Sequence, residues 1–305
     1  MYYYLKSVFM NNLVKRFVIV VVLFITVGIG VCFSQDVINF PYPQIPTMMI
    51  EPQQRATYLL MHYWDNVDFD DISLVMNDEF MEQGFVDYLS VLQIVDIQTA
   101  EKSVETMMKR AEKSKAAYLR LVNIAEKYLF EPNSPMVNDE MYIIFLNQEL
   151  KTTVLNKVEK ARFEYQHKAL MKNRVGSVAT DFIYMDRDGK TGSLHEFKAE
   201  ETLLIFYDPD CDNCAEIIEK LRYNRALNAK ISNGKLRVLA IYAEEDVDLW
   251  KKELSKIPTN WSVGRAVSKV KALGLYVLRA MPAIYLLDKD KKVVKKEAVP
   301  ENLFE

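Results

Sequence analysis

Two cysteines with a two-residue spacer, Cys211-Asp212-Asn213-Cys214, are the residues of this chain best suited to chemistry. They follow directly on a continuous apolar run, Thr202-Leu203-Leu204-Ile205-Phe206-Tyr207, of buried-strand length, and they open a segment that reads as helix. Thiol exchange needs a thiolate to attack a sulfur and a second thiol close enough to resolve the mixed disulfide. A two-residue spacer at a helix start supplies both, and the helix N-terminus favours an anionic first sulfur. A structural disulfide fits this spacing less well, because so small a loop constrains little of the unfolded chain. Zinc fits less well too, since a site takes four ligands and no His pair is near. The whole chain of 305 residues holds only three cysteines and three histidines, which is poor supply for a stapled scaffold or a His-rich metal enzyme.

Charge around the pair works against a reactive thiolate. Asp208, Asp210 and Asp212 flank Cys211. A carboxylate about 6 Å away opposes ionisation by roughly 1 kcal/mol at an effective dielectric near 50, while the helix terminus offers about 0.3 to 1 kcal/mol the other way. The expectation is a reducing or slow exchanger and not a strong oxidant.

The elements that must position the pair alternate in type. Phe182 to Met185 and Ser193 to His195 flank the turn Asp186-Arg187-Asp188-Gly189-Lys190 and read as a hairpin. The apolar strand and a helix from Cys211 to about Asn228 follow, then a strand at Leu236 to Tyr242 and a helix at Val247 to Ile257. A short helix near Ala266 to Leu273 and a hairpin at Ala283 to Ala298 complete the order. This order implies a mixed sheet covered on both faces. Only nine glycines and ten prolines occur, which favours helix over a turn-rich all-β fold.

The preceding half reads as helical. Residues 35–52, with Pro41, Pro43, Pro46 and Pro52, form an extended lead-in. Residues 53–173 carry helical periodicity, with segments at Gln53 to Asp65 and Asp78 to Asp96 and long runs from Thr99 to Phe130 and from Asp139 to about Lys172. The stop Glu131-Pro132-Asn133-Ser134-Pro135 divides the two long runs, so two helices of about thirty residues are expected to pack antiparallel. Their Met, Tyr and Phe stripes read as core, which makes this half a scaffold or an interaction module.

Lys15 and Arg16 precede an apolar run from Phe17 to Val31 and then Cys32-Phe33-Ser34. That layout is a secretory signal peptide cut after Ser34, giving residues 1–34 as leader. Two alternatives stand beside it. The run, about fifteen residues, is short of the ~20 that span a bilayer as a retained anchor, and Val31 fits poorly before an acylated Cys32. All three export the remainder.

Residues 174–305 resemble the thioredoxin-like superfamily, in the branch shared by exported thiol-disulfide oxidoreductases and peroxiredoxin-like proteins. The resemblance rests on Val175-Gly176-Ser177-Val178-Ala179-Thr180-Asp181-Phe182, the Asp188-Gly189-Lys190 turn, Leu204 to Cys214, and Met281-Pro282-Ala283-Ile284-Tyr285-Leu286-Leu287-Asp288. The layout with a helical domain in front also resembles a group of exported Bacteroidetes proteins. The resemblance implies an α/β fold: a thioredoxin-like mixed sheet flanked by helices, preceded by an all-α domain of long antiparallel helices. It implies Cys211 as nucleophile, Cys214 as resolving thiol, and Pro282 in cis beside them, with Met281 and Pro282 forming the substrate groove. No cofactor or metal is implied beyond a redox-active Cys211–Cys214 disulfide.

The implied partners are protein thiols and disulfides and an electron donor, met in the periplasm or cell envelope. With 39 basic against 42 acidic residues, a net charge of −3, the chain gives no reason to expect nucleic acid, and a membrane enters only through the N-terminal segment. The implied activity is an exported oxidoreductase that reduces or isomerises protein disulfides, the helical half selecting the partner. The competing reading is a binding or assembly module with little activity. Three departures stand out. Asp210 occupies a position often aromatic, Leu203 to Phe206 lacks the carboxylate that many thioredoxins bury, and only Pro300 to Glu305 remain for a closing helix. Asp208-Pro209-Asp210-Cys211 also departs from the Thr-x-x-Cys turn of thiol peroxidases.

Overall fold

The computed structural model describes residues 39–298 and 300–304. The expected leader, with Cys32, lies outside the described residues. Two compact units divide the chain, Met1–Val137 and Asn138–Glu305. Among the described residues, no helix is long and apolar enough to cross a membrane.

In the first unit the helices are α1 (Pro52–His62), α2 (Ile72–Val75), α3 (Asp78–Leu92), α4 (Ile97–Ala111) and α5 (Lys115–Leu129). Asp71, Asn77, Asp96 and Ser114 cap α2 to α5 by accepting a backbone N–H of the first turn. The run from Thr99 to Phe130, expected as one helix, is therefore two. Ser114 is the reason: its extended backbone ends the first helix and its hydroxyl starts the second. Phe40, from the Pro-rich lead-in, is buried against Tyr63, Trp64 and Phe80. Its ring lies where a Cβ on Gly84 would stand, 2.3 Å from ring carbons, so the glycine in α3 is what admits it.

The second unit opens with α6 (Asp139–Lys151) and α7 (Lys157–Leu170). Here too the expected single helix is two, because Asn156 and Glu159 form a reciprocal capping box that begins a new helix. The strands are β1 (Ile183–Asp186), β2 (Thr191–Ser193), β3 (Glu201–Tyr207), β4 (Leu236–Tyr242), β5 (Ser262–Ala266), β6 (Ala283–Leu287) and β7 (Val293–Lys296). They form one mixed sheet in the order β2-β1-β5-β4-β3-β6-β7. β3, β4 and β5 run parallel, and the remaining pairs are antiparallel. The helices between strands are α8 (Asp212–Arg222), α9 (Arg225–Ser232) and α10 (Val247–Glu253). This is the α/β class expected, with a helical region in front.

Period-two alternation in β3 sorts the two faces. Leu203, Ile205 and Tyr207 join Cys214, Ile218, Leu221 and Trp250 in one buried cluster. Leu204 and Phe206 join Phe182, Val270, Tyr276 and Tyr285 in the other.

Ala266 to Leu273 departs from the expected short helix. Ser262–Ala266 instead forms β5 between β4 and β1, and turns follow it. Gly264 permits this, since a Cβ there would stand 2.6 Å from the Tyr184 ring and 3.1 Å from the Met185 carbonyl. Residues 300–304 form a turn that buries Leu303 in the first cluster.

Asp139, the first residue of α6, pairs with Arg279 at 2.6 Å and with Lys296, and Arg279 also pairs with Glu297. This network joins the start of the unit to the loop before β6 and to the end of β7. Tyr165 and Asn173 add hydrogen bonds from the α7 side to the carbonyls of Lys271 and Leu275.

Candidate functional site

β3 ends at Tyr207, and Asp208 to Asp210 turn the chain into α8. Cys211 is the N-cap of that helix, with extended backbone, and its Sγ accepts the Cys214 N–H at 3.3 Å. The first sulfur therefore sits on the unsatisfied N–H groups of a helix N-terminus, where negative charge is favoured. Cys211 is half-buried, whereas Cys214, one turn along, is 1% exposed; both are free thiols.

Cys214 faces the core cluster that holds Tyr207 and Trp250. Its Sγ accepts the Asp208 N–H at 3.4 Å. Burial pushes the Cys214 thiol well above the ordinary thiol range. The Asp208 N–H acts the other way, while Cys211 and the Asp208 carboxylate reinforce the rise.

Sequence reasoning named seven residues, and the structure brings them into one neighbourhood. Asp208 is half-buried and its carboxylate accepts the Asp210 N–H at 3.1 Å; Asp210 and Asp212 are exposed. The Met281–Pro282 peptide is cis. Met281 packs at the edge of both core clusters, and its carbonyl lies 3.9 Å from Cys211 Sγ. The cysteine turn and the segment before β6 thus meet across one backbone oxygen.

Asn213 and Arg279 escaped the reading. The Asn213 amide donates to the Met281 carbonyl at 2.8 Å. Its only sequence signal is its place in the spacer. Arg279 stands two residues before Met281 and is held by Asp139 and Glu297. Nothing local marks it, because its partner lies 140 residues earlier. Trp250 and Trp261 are buried packing residues, and His195 is exposed beyond β2 with Nε2 2.8 Å from the Ala179 carbonyl. Among the described residues, no group of three or more His, Cys, Asp or Glu is placed to hold a metal ion.

Chemically, the arrangement offers one half-buried sulfur at a helix N-terminus, one buried sulfur behind it, and a backbone acceptor beside the first. A family model described as a domain of unknown function (DUF5106) matches residues 23–173, and the Redoxin model matches residues 174–303. A solved thioredoxin-like protein from Bacteroides caccae is similar at 37% identity with a TM-score of 0.80, covering 87% of this chain and 96% of that one. Thiol-disulfide oxidoreductase ResA of Bacillus cereus is 28% identical over 126 residues, 41% of this chain and 70% of the relative. ResA of Bacillus anthracis is 27% identical over the same shares.

Proposed function

The chain belongs to the thioredoxin-like superfamily, and from that premise we propose that it is an exported thiol-disulfide oxidoreductase acting on protein disulfides through Cys211 and Cys214. The observation that carries the reading is the unequal pair: a half-buried sulfur capping a helix, with a fully buried thiol one turn behind it. In the first step the Cys211 thiolate attacks a substrate disulfide; one S–S bond forms, one breaks, and a substrate thiolate leaves. Cys214 then gives up its proton and attacks Cys211 Sγ, releasing the second substrate thiol and closing the Cys211–Cys214 disulfide. The substrate has gained two electrons and two protons, and a separate dithiol donor restores the pair. When a different substrate thiolate attacks the mixed disulfide instead, a new substrate S–S bond forms, Cys211 leaves as its thiolate, and the disulfide has been isomerised with no net change of electrons.

In this reading Met281 and Pro282 line the substrate groove, and Asp208, Asp210 and Asp212 hold the pair toward the reducing direction. The helical residues 53–173 select the partner. No cofactor or metal beyond the cysteine pair takes part. The partners are protein disulfides and an electron donor in the periplasm or cell envelope, with the N-terminal segment the sole membrane contact. The basis for export is the Lys15-Arg16 and Phe17 to Val31 pattern.

Reduction of insulin or of a model disulfide tests the reading. Cys211→Ser and Cys214→Ser each abolish turnover, and Cys214→Ser accumulates a mixed disulfide through Cys211. Absence of turnover in the parent chain overturns the enzyme reading in favour of a binding module, and turnover that survives either substitution overturns the assignment of the pair.

A further inference from the structure

The Met281 carbonyl is a backbone acceptor beside the half-buried Cys211 sulfur, and it is already engaged. Asn213 Nδ2 donates to it at 2.8 Å and the Cys211 thiol faces it at 3.9 Å. Once Cys211 ionises its thiol no longer donates, so Asn213 is the donor from the cysteine turn that stays on this oxygen. Any sulfur that Cys211 attacks must come into contact with Cys211 Sγ. An extended chain carrying that sulfur then passes Met281, and its nearest amide N–H has this carbonyl as acceptor. We infer that Asn213 is a specificity-determining residue: its amide occupies the Met281 carbonyl in the free protein, and a polypeptide disulfide must compete with it for that oxygen whereas a small disulfide need not.

Asn213 suits such a role. It is exposed on the second residue of α8, so its displaced amide turns into water and leaves no buried polar group unsatisfied. The inference rests on the thiol-exchange reading of Cys211. It concerns which disulfides meet the sulfur productively, not whether exchange occurs.

The test uses stoichiometric exchange in the full chain carrying Cys32→Ser and Cys214→Ser, which leaves Cys211 as its one cysteine. Two activated disulfides serve as probes. One is an aryl mixed disulfide of a blocked, extended cysteine pentapeptide, and the other is a symmetrical aryl disulfide without a peptide. In each case Cys211–S⁻ displaces an aryl thiolate, forming one S–S bond as one breaks, so the release is read by absorbance. Asn213→Ala is expected to raise the peptide-to-aryl ratio of rate constants about fivefold, the equivalent of about 1 kcal/mol for one hydrogen bond. The gain vanishes when the amides beside the probe cysteine are N-methylated. An unchanged or lower ratio overturns the inference, as does an equal gain with the N-methylated probe. A protein that turns over no disulfide still yields this ratio, so failure of the enzyme reading is separately visible.

Discussion

Cys214 is almost wholly buried, and desolvation works against its thiolate. In the proposed exchange, resolution of a Cys211 mixed disulfide needs that thiolate, which makes the second half of the exchange pH-sensitive. Release of substrate from a preformed mixed disulfide is expected to accelerate about tenfold per pH unit and to keep rising past the ordinary thiol value of 9.0. A plateau near pH 7 in stopped-flow kinetics would contradict it. The direction of redox chemistry follows from the same site. Strong oxidants stabilise a thiolate in their reduced form, and here burial, with the Asp208 carboxylate adding to it, disfavours the Cys214 thiolate. The midpoint potential in glutathione buffers should lie nearer the roughly −270 mV of thioredoxin than the roughly −120 mV of a strong oxidant. The pair itself was legible, because spacing and a preceding apolar strand are local signals. Asn213 was not, because its contact lies 68 residues away and the spacer position alone says nothing of it.

At the scale of elements, the Asp139 network holds α6 to the segment that carries Met281. Burial alone would raise the Asp139 carboxyl, but the charges of Lys296 and Arg279 and their hydrogen bonds outweigh it and hold it below the ordinary 3.8. A lowered folded-state value means stability that is present above that ordinary value and lost as pH falls through the folded one. Acid unfolding below about pH 4 should therefore be blunted in Asp139→Asn relative to the parent, from a lower starting stability. Asp139→Ala should cost about 3 kcal/mol in urea unfolding, because two nearly buried cations lose a counter-charge. Gly264→Ala should cost about 1 to 3 kcal/mol, since the Met185 carbonyl is backbone and cannot turn aside. Strand and hairpin positions around the cysteine pair could be read from apolar runs and turn glycines. The breaks at Ser114 and Asn156 could not be weighed against continuous periodicity, and β5 is too short and too polar to announce itself.

Across the molecule, composition and the change of pattern near Val175 gave an α/β half behind a helical one, and that class holds. The compact division falls earlier, between Val137 and Asn138, so α6 and α7 belong with the sheet. No periodicity shows this, because it depends on contacts such as Tyr165 with Lys271 and Asn173 with Leu275. A fragment of residues 138–305 is expected to melt at least about 6 °C above one of residues 174–305, the shift for roughly 3 kcal/mol in a domain of this size. Equal melting temperatures in calorimetry would refute this. The network also has a consequence for a chain made N-terminus first. Residues 39–137 contain their own core and have their contacts to hand early. Asp139, by contrast, stays without Arg279 and Lys296 until 140 and 157 further residues have followed. The Cys211–Cys214 pair therefore emerges before the Met281–Pro282 segment that faces it, and Lys296 at the end of β7, which completes the Asp139 network, arrives later still.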